Sequence, residues 1–285
     1  MENSEQKSNS VARKIKEKIF LGTVMACAVL AVFPLVLLLG YVIIKGISSI
    51  SPAFFTNLPA PVGESGGGIG NGIIGTFMIV LIGAFFSFPI GIFGGLWLAE
   101  SGKGKRGFWI RYAVDVMSGI PSIIFALFAY VIFVLPMHRF SAIAGGFAVS
   151  LVMIPYITRT TEEMIKMVPR TLKESALALG IPEWRVSVSI VLRSAWNGIF
   201  TGVMLAIARA AGETAPLLFT AFSNMYWNVA LDKPTASMTV QIYTYSISPY
   251  EEWHKLAWAG SLVLVAFVLT ITVLVRKFSK RITYG

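Results

Sequence analysis

Six stretches of almost unbroken apolar residues lie at 19–44, 72–99, 112–136, 140–157, 196–222 and 256–275. Each can cross a hydrocarbon layer of about 30 Å as a helix, which predicts an all-α membrane protein with six transmembrane helices. The fourth is the least sharply bounded, because Gly145, Gly146 and Pro155 interrupt it. Proline recurs inside the spans at Pro34, Pro89, Pro121, Pro155 and Pro216. Each removes a backbone hydrogen bond that hydrocarbon cannot replace, so a neighbouring helix or water must. Between the fourth and fifth spans, residues 158–195 are charged and helix-compatible. There Pro169 starts and Gly180 stops a helix with Leu172, Ala176 and Leu179 on one face. A second short helix starts at Pro182 and carries Trp184, Val188 and Val191 at helical spacing. Two small helices outside the bilayer are expected, with an apolar face free to dock on a partner.

Charge then orients the spans. Of the 285 residues 55% are hydrophobic and 13% charged, with a net charge of +10 and mean hydropathy of +0.73. One face would hold Lys7, Arg13, Lys14, Lys16 and Lys18, then Lys103, Lys105, Arg106 and Arg111, then six cations of the long loop, then Arg276, Lys277, Lys280 and Arg281. The other would hold only Lys45, Arg139, Lys233 and Lys255. By the positive-inside rule the termini and the loop are cytoplasmic. Topology explains the basic balance, and nucleic acid need not be invoked. The expected organisation is a cytoplasmic tail (1–18), a first transmembrane helix (19–44), an extracytoplasmic connection (45–71), a core of five transmembrane helices (72–275) that includes a cytoplasmic loop (158–195), and a cytoplasmic tail (276–285). The connection is rich in Pro and Gly, as an irregular exposed segment is. The other external segment, 223–255, carries Tyr and Trp rings suited to the headgroup region. The basic, apolar N-terminus reads as a signal anchor rather than a cleaved leader, since the apolar run continues past Cys27. As the single cysteine, Cys27 excludes an intrachain disulfide and a cysteine-based metal cluster.

The chemistry lies in the fifth span. Counting about 1.5 Å per residue from Gly198 puts Arg209 roughly 16 Å deep, near the midplane. Glu213 follows four residues later on the same face, where it can pair with the guanidinium and relieve part of the burial cost. Gly198, Gly202, Ala206 and Ala210, with Thr214, form a stripe of small residues that admits a close helix neighbour. The pair is either a lock for the bundle or part of an anion or ion path, and arginine's planar fork suits an oxyanion. Asp115 reads as an interfacial carboxylate within a turn of Arg111, at the start of span three. His138 and His254 lack partners at metal-ligand spacing, so no metal site is expected. Gly70-Asn71-Gly72-Ile73-Ile74-Gly75 matches GxGxxG but opens a membrane span with no strand before it, and is set aside. There is no GxxxxGK[ST] sequence, so any ATP that drives this chain is hydrolysed by another subunit.

Within the loop, Glu174-Ser175-Ala176-Leu177-Ala178-Leu179-Gly180 followed by Ile190-Val191-Leu192 resembles the EAA loop of ABC-importer permeases. Ser175 stands for the pattern's first alanine, and Arg193 for its final proline. Arg209-Ala210-Ala211-Gly212-Glu213-Thr214 resembles the RAxGET signature of phosphate-specific permeases, and Gly119-Ile120-Pro121-Ser122-Ile123 their GVPSI segment. Pro89-Ile90-Gly91-Ile92, Leu98-Ala99-Glu100 and Ser237 to Tyr243 fit as well, and favour the Pst-type A subunit. The resemblance implies a type I ABC importer permease fold with cytoplasmic coupling helices, in a prokaryotic inner membrane. It implies as partners a homologous Pst-type C permease, two ATPase subunits that hold ATP and Mg, and an extracytoplasmic phosphate-binding protein. This chain itself would bind no cofactor and would not be an enzyme. On that resemblance Glu174, Ala176, Leu179 and Gly180 couple to the ATPase, while Arg209, Glu213 and Thr214 line the substrate path. The rival expectation is a secondary transporter or channel for an oxyanion that uses the Arg209–Glu213 pair without ATP.

Overall fold

A computed structural model describes residues 2–61, 64 and 66–282. Parts of the expected segments lie outside the described residues, namely Met1 and 283–285 in the tails, and 62–63 and 65 in the connection. Among the described residues helix follows helix and no strand forms. Helix α1 (Glu2–Ile47) begins far ahead of the expected span and is apolar enough to cross a membrane from Lys16 onward. Short α2 (Pro52–Thr56) follows, its first turn capped by the Ser51 hydroxyl, which accepts from the Phe54 N–H at 3.3 Å. Helix α3 (Gly70–Glu100) is the second span.

The third expected span, 112–136, is not one helix. Helix α4 (Gly104–Gly119) and the stack of α5 (Ser122–Ala129), a π-helical turn (Tyr130–Val134) and α6 (Leu135–Met137) meet at 102°. Pro121 is the reason: it has no N–H to donate and forces Ile120 into extended backbone. Asp115 is correspondingly near the C-terminal end of α4, not the start of a span.

Helix α7 (Ala142–Lys166) runs through Gly145, Gly146 and Pro155 and continues beyond the expected limit at 157. Helix α8 (Arg170–Ala178) follows. The second expected loop helix is not separate: α9 (Glu183–Arg185) passes through a π-helical turn (Val186–Val191) straight into α10 (Leu192–Ala211). Only residues 167–182 therefore lie between these two long helices. Helix α10 stops at Ala211, ahead of the expected limit at 222. Next come one turn, α11 (Ala215–Leu218), then an irregular stretch, α12 (Met238–Ser246) and α13 (Glu251–Ile282). Among the described residues five helices are long and apolar enough to span a bilayer, or six when the bent α4–α6 unit counts as one.

Glycines set the packing. A side chain at Gly83, Gly91 or Gly95 of α3 would meet, in turn, Gly146 and Val149, Ile157, and Thr158 with Thr161. Residue numbers rise together, so α3 and α7 are parallel neighbours in close contact. Helix α10 lies antiparallel on α7, with Gly198 against Met164 and Gly202 against Thr160. These three helices hold the main apolar core, including Ile79, Val149, Met153, Ile157 and Ile199. Helix α1 packs along α13, with the Tyr41 and Trp258 rings edge to face at 5.1 Å. Its remaining apolar side chains between Ile19 and Ile47 are largely exposed, a surface suited to lipid.

A cluster of charges closes one end of the bundle. The Glu162 carboxylate on α7 is 1% exposed and accepts from Arg111 Nε and Lys166 Nζ, each at 2.5 Å, and from Arg159 Nη1 at 3.2 Å. Arg111 also donates to the backbone oxygens of Leu98 and Gly102, at 2.6 and 2.8 Å. One guanidinium thus joins α4, α7 and the end of α3. Asp115 is 3.8 Å from Arg159 rather than paired with Arg111. We call this the basic end.

Candidate functional site

The expected substrate residues sit where α10 breaks. Continuing the α10–α7 register in steps of four from Gly198 and Gly202 sets Ala206 and Ala210, both buried, against the middle of α7. Arg209 projects beside them with its guanidinium carbon 4.7 Å from the centre of the Tyr156 ring, a cation–π contact. Tyr156 is itself in mid-α7, so the charge is level with the middle of the bundle. Glu213 Oε1 is 3.7 Å from Arg209 Nε, a loose pair in which the arginine is 52% exposed and the glutamate 15%.

The break follows from sequence. Pro216 cannot donate the bond that would carry the helix across Gly212. The chain instead turns, with Gly212 N–H donating to Arg209 O at 3.0 Å and Glu213 N–H to Ala210 O at 3.2 Å. Thr214 then starts α11, its carbonyl accepting from Leu217 and Leu218 at 3.1 Å. Across the break, the Thr239 hydroxyl of α12 donates to the Glu213 carbonyl at 3.0 Å. Helix α12 is tied in turn to α3: Met238 N–H donates to Thr76 Oγ1 at 2.8 Å, and Gln241 Nε2 to Asn71 Oδ1 at 2.8 Å.

At the basic end the loop helix is arranged differently from expectation. Leu172, Ala176 and Leu179 do not form one outward face. Ala176 is 5% exposed and packs into the main core with Val186 and Val191, whereas Leu179 is 80% exposed. Leu172 and Glu174 are exposed as well. The short helix is pinned by Lys173, which pairs with Glu100 at the end of α3; Ser187 Oγ donates to the same carboxylate at 3.2 Å. Gly180 ends the segment with φ of 77°, left-handed backbone that only glycine adopts without strain. Trp184, beyond it, is exposed, with Arg185 over its ring at 5.4 Å.

Sequence reasoning missed four residues here. Glu162 falls within the expected loop 158–195, although Arg159 and Lys166, three before and four after it, are at helical ion-pair spacing. Lys173 lay within the loop helix without an assigned partner. Nothing local marks Tyr156, and Thr239 falls within the Ser237–Tyr243 resemblance without a role; their contacts with Arg209 and Glu213 join residues far apart in the chain. Among the described residues no group of His, Cys, Asp and Glu is placed to hold a metal ion.

Comparison with known proteins matches residues 91–284 to the family described as binding-protein-dependent transport system inner membrane component. The phosphate transport system permease protein PstA of Yersinia pestis is 42% identical over 268 residues, covering 93% of this chain and 90% of the relative. The corresponding Haemophilus influenzae protein is also 42% identical, covering 93% and 94%. A probable PstA from Methanocaldococcus jannaschii is 35% identical over 93% of this chain and 94% of its own length. Among solved structures, the inward-facing MetNI methionine ABC transporter matches with a TM-score of 0.58 at 16% identity, covering 75% of this chain and 93% of that one. At that identity the likeness speaks for the fold, a type I importer permease. With two-thirds of its length and nearly all of its membrane core matched, the chain belongs to the family of binding-protein-dependent transport system inner membrane components.

Proposed function

We propose that this chain is one permease half of an ATP-driven importer of inorganic phosphate, and that Arg209 and Glu213 line the path. The observation that carries the reading is a guanidinium half exposed at mid-bundle depth, held by one carboxylate at 3.7 Å and one aromatic face at 4.7 Å. A charge in that position is costly against lipid, so a second permease or a water-filled path covers it. Relatives at 42% identity named as phosphate transport permeases supply the substrate class. Arginine's fork suits a tetrahedral oxyanion, and phosphate competing with Glu213 for Arg209 is the proposed gating step. Thr214, at the start of α11, is the third residue of the path.

The partners follow from what the chain lacks. It has no phosphate-binding loop for ATP, so two ATPase subunits that bind ATP and Mg supply the work, and an extracytoplasmic binding protein delivers phosphate. A homologous Pst-type C permease is the proposed second half. Exposed Glu174 and Leu179, on a segment closed by Gly180, form the ATPase contact, while Ala176 seats that segment on its own bundle. The positive-inside distribution puts the basic end and both termini in the cytoplasm.

Reconstitution with the partner subunits tests this. Labelled phosphate should enter vesicles only with ATP and the ATPase, and Arg209→Ala at normal protein levels should abolish entry. Undiminished uptake by Arg209→Ala would refute the site, and uptake surviving removal of the ATPase would favour the secondary transporter instead.

A further inference from the structure

The Arg209–Glu213 pair straddles the break at Gly212: the Glu213 N–H donates to Ala210 O of α10 at 3.2 Å, while its carbonyl accepts from a different helix. Arg209 is on α10, which runs without interruption through the π-helical turn to Glu183, at the edge of the proposed ATPase contact. Glu213 is past the end of that helix. Its backbone is held by Thr239 at 3.0 Å, and Thr239 is on α12, which is bonded to α3 by Thr76 and Asn71. Helix α3 packs along α7 at glycine contact distance, so these bonds tie α12 to the α3–α7 block, and α12 packs on α13 as well. Thr239 is 5% exposed, and its neighbours Ser237 and Gln241 are buried too.

We infer that Thr239 is a positioning residue that clamps Glu213 to the α3–α7 block, so that displacement of α10 by the ATPase opens the Arg209–Glu213 pair at Gly212. The inference rests on the function proposed above. The physical requirement is that α10 shift along α7 relative to α3 and α12, with Gly212 as the residue between Arg209 and Glu213 that lets the backbone adjust. A shift of α10 carries Arg209 with it, but the Thr239 bond keeps Glu213 in place. Without that bond Glu213 would follow the helix end, the pair would stay closed, and ATP would be spent without release of Arg209 to phosphate. Helix packing converts small shifts of this kind into two discrete arrangements.

The experiment uses the assembled complex in vesicles with its phosphate-binding protein, and reads phosphate moved per ATP hydrolysed. Thr239→Val removes the hydroxyl at nearly constant volume, and Thr76→Val cuts the same clamp from the α3 side. Each should lower that ratio roughly two- to tenfold, the range expected for one lost hydrogen bond, while ATPase turnover is retained. The double variant should be no worse than the poorer single one, and Thr239→Ser should restore the wild-type ratio. An unchanged ratio in Thr239→Val, additive losses, or a serine variant as poor as the valine variant would each overturn the clamp. So would failure of both valine variants to assemble, which would assign these residues to folding. A wild-type complex that hydrolyses ATP but moves no phosphate would instead sink the function proposed above.

Discussion

Replacing Glu162 by Ala tests the energetics of the basic end most directly. The carboxylate is buried and accepts three charge-assisted bonds, two at 2.5 Å and one at 3.2 Å. Each such bond contributes about 1.5–3 kcal/mol where both partners are dry. The partners here are not dry: Arg111 is 28% exposed, and Arg159 and Lys166 more so, so all three recover hydration when the acid is gone. The discounted net loss is about 3 kcal/mol, at the lower edge of what breaking a buried ion pair costs. For a chain of this size that corresponds to a fall in Tm of roughly 6–10 °C, read by thermal unfolding of the detergent-purified complex. Glu162→Gln keeps the volume and one acceptor, and should fall between Ala and wild type. Arg111→Lys should behave almost as badly as Glu162→Ala, because a point-like ammonium cannot also reach the Leu98 and Gly102 carbonyls. A Tm for Glu162→Ala within about 2 °C of wild type would refute the assignment of this carboxylate as the bond between α4 and α7.

Three further outcomes are expected. Gly202→Ala drives a methyl into the Thr160 side chain, an overpacking cost of about 1–3 kcal/mol visible as a lower Tm, and adding Thr160→Ser should recover part of it by removing the nearest methyl. Gly180→Ala forces a side chain into left-handed backbone at φ of 77°, a strain of about 1–2 kcal/mol that should weaken retention of the ATPase on purification. Leu179→Ala, at an 80% exposed position, should leave the Tm of the purified chain unchanged while weakening ATPase binding about tenfold or more, measured by titrating the ATPase onto it.

The spans were legible because hydrocarbon length and apolar runs match one another. Their ends were not, because hydrophobicity stops at the water boundary and a helix need not. Helix α7 continues to Lys166 on the strength of the Arg159–Glu162–Lys166 ladder, polar residues that look like a loop until they are counted at helical spacing. The breaks show a similar ambiguity. Five prolines were visible inside the expected spans, and three, Pro34, Pro89 and Pro155, are accommodated within helices. The two that end helices have a glycine two or four residues ahead, Gly119 before Pro121 and Gly212 before Pro216. Proline removes the bond and glycine lets the backbone turn away, so the combination breaks a helix where proline alone only loosens it. Of the site, the spacing of Arg209 and Glu213 was readable because it is local. Tyr156 and Thr239 reach them from other helices, and a single sequence carries no record of that approach.

The acids at the basic end and the Arg209–Glu213 pair differ in how completely their partners satisfy them. Glu162 has three donors, negligible exposure and contacts at 2.5 Å, and cannot change partner without leaving a buried charge bare; Glu100, 15% exposed, has both Lys173 and Ser187. Arg209 has one carboxylate at 3.7 Å, beyond hydrogen-bond contact, one ring face and an otherwise open side. A group held that loosely loses little when its partner leaves and gains much when a better-fitting oxyanion arrives. The saturated pairs lie at the basic end, next to the proposed ATPase contact. The Arg209–Glu213 pair lies in mid-bundle beside a helix break, whereas the equally long contacts of Arg159 with Glu163 and Asp115, at 3.7 and 3.8 Å, belong to an arginine that also donates to buried Glu162. The contrast between Glu162, saturated by three donors, and Arg209, with one distant carboxylate and one ring, is therefore what the Arg209→Ala and Glu162→Ala variants separate: the first is read in transport, the second in Tm.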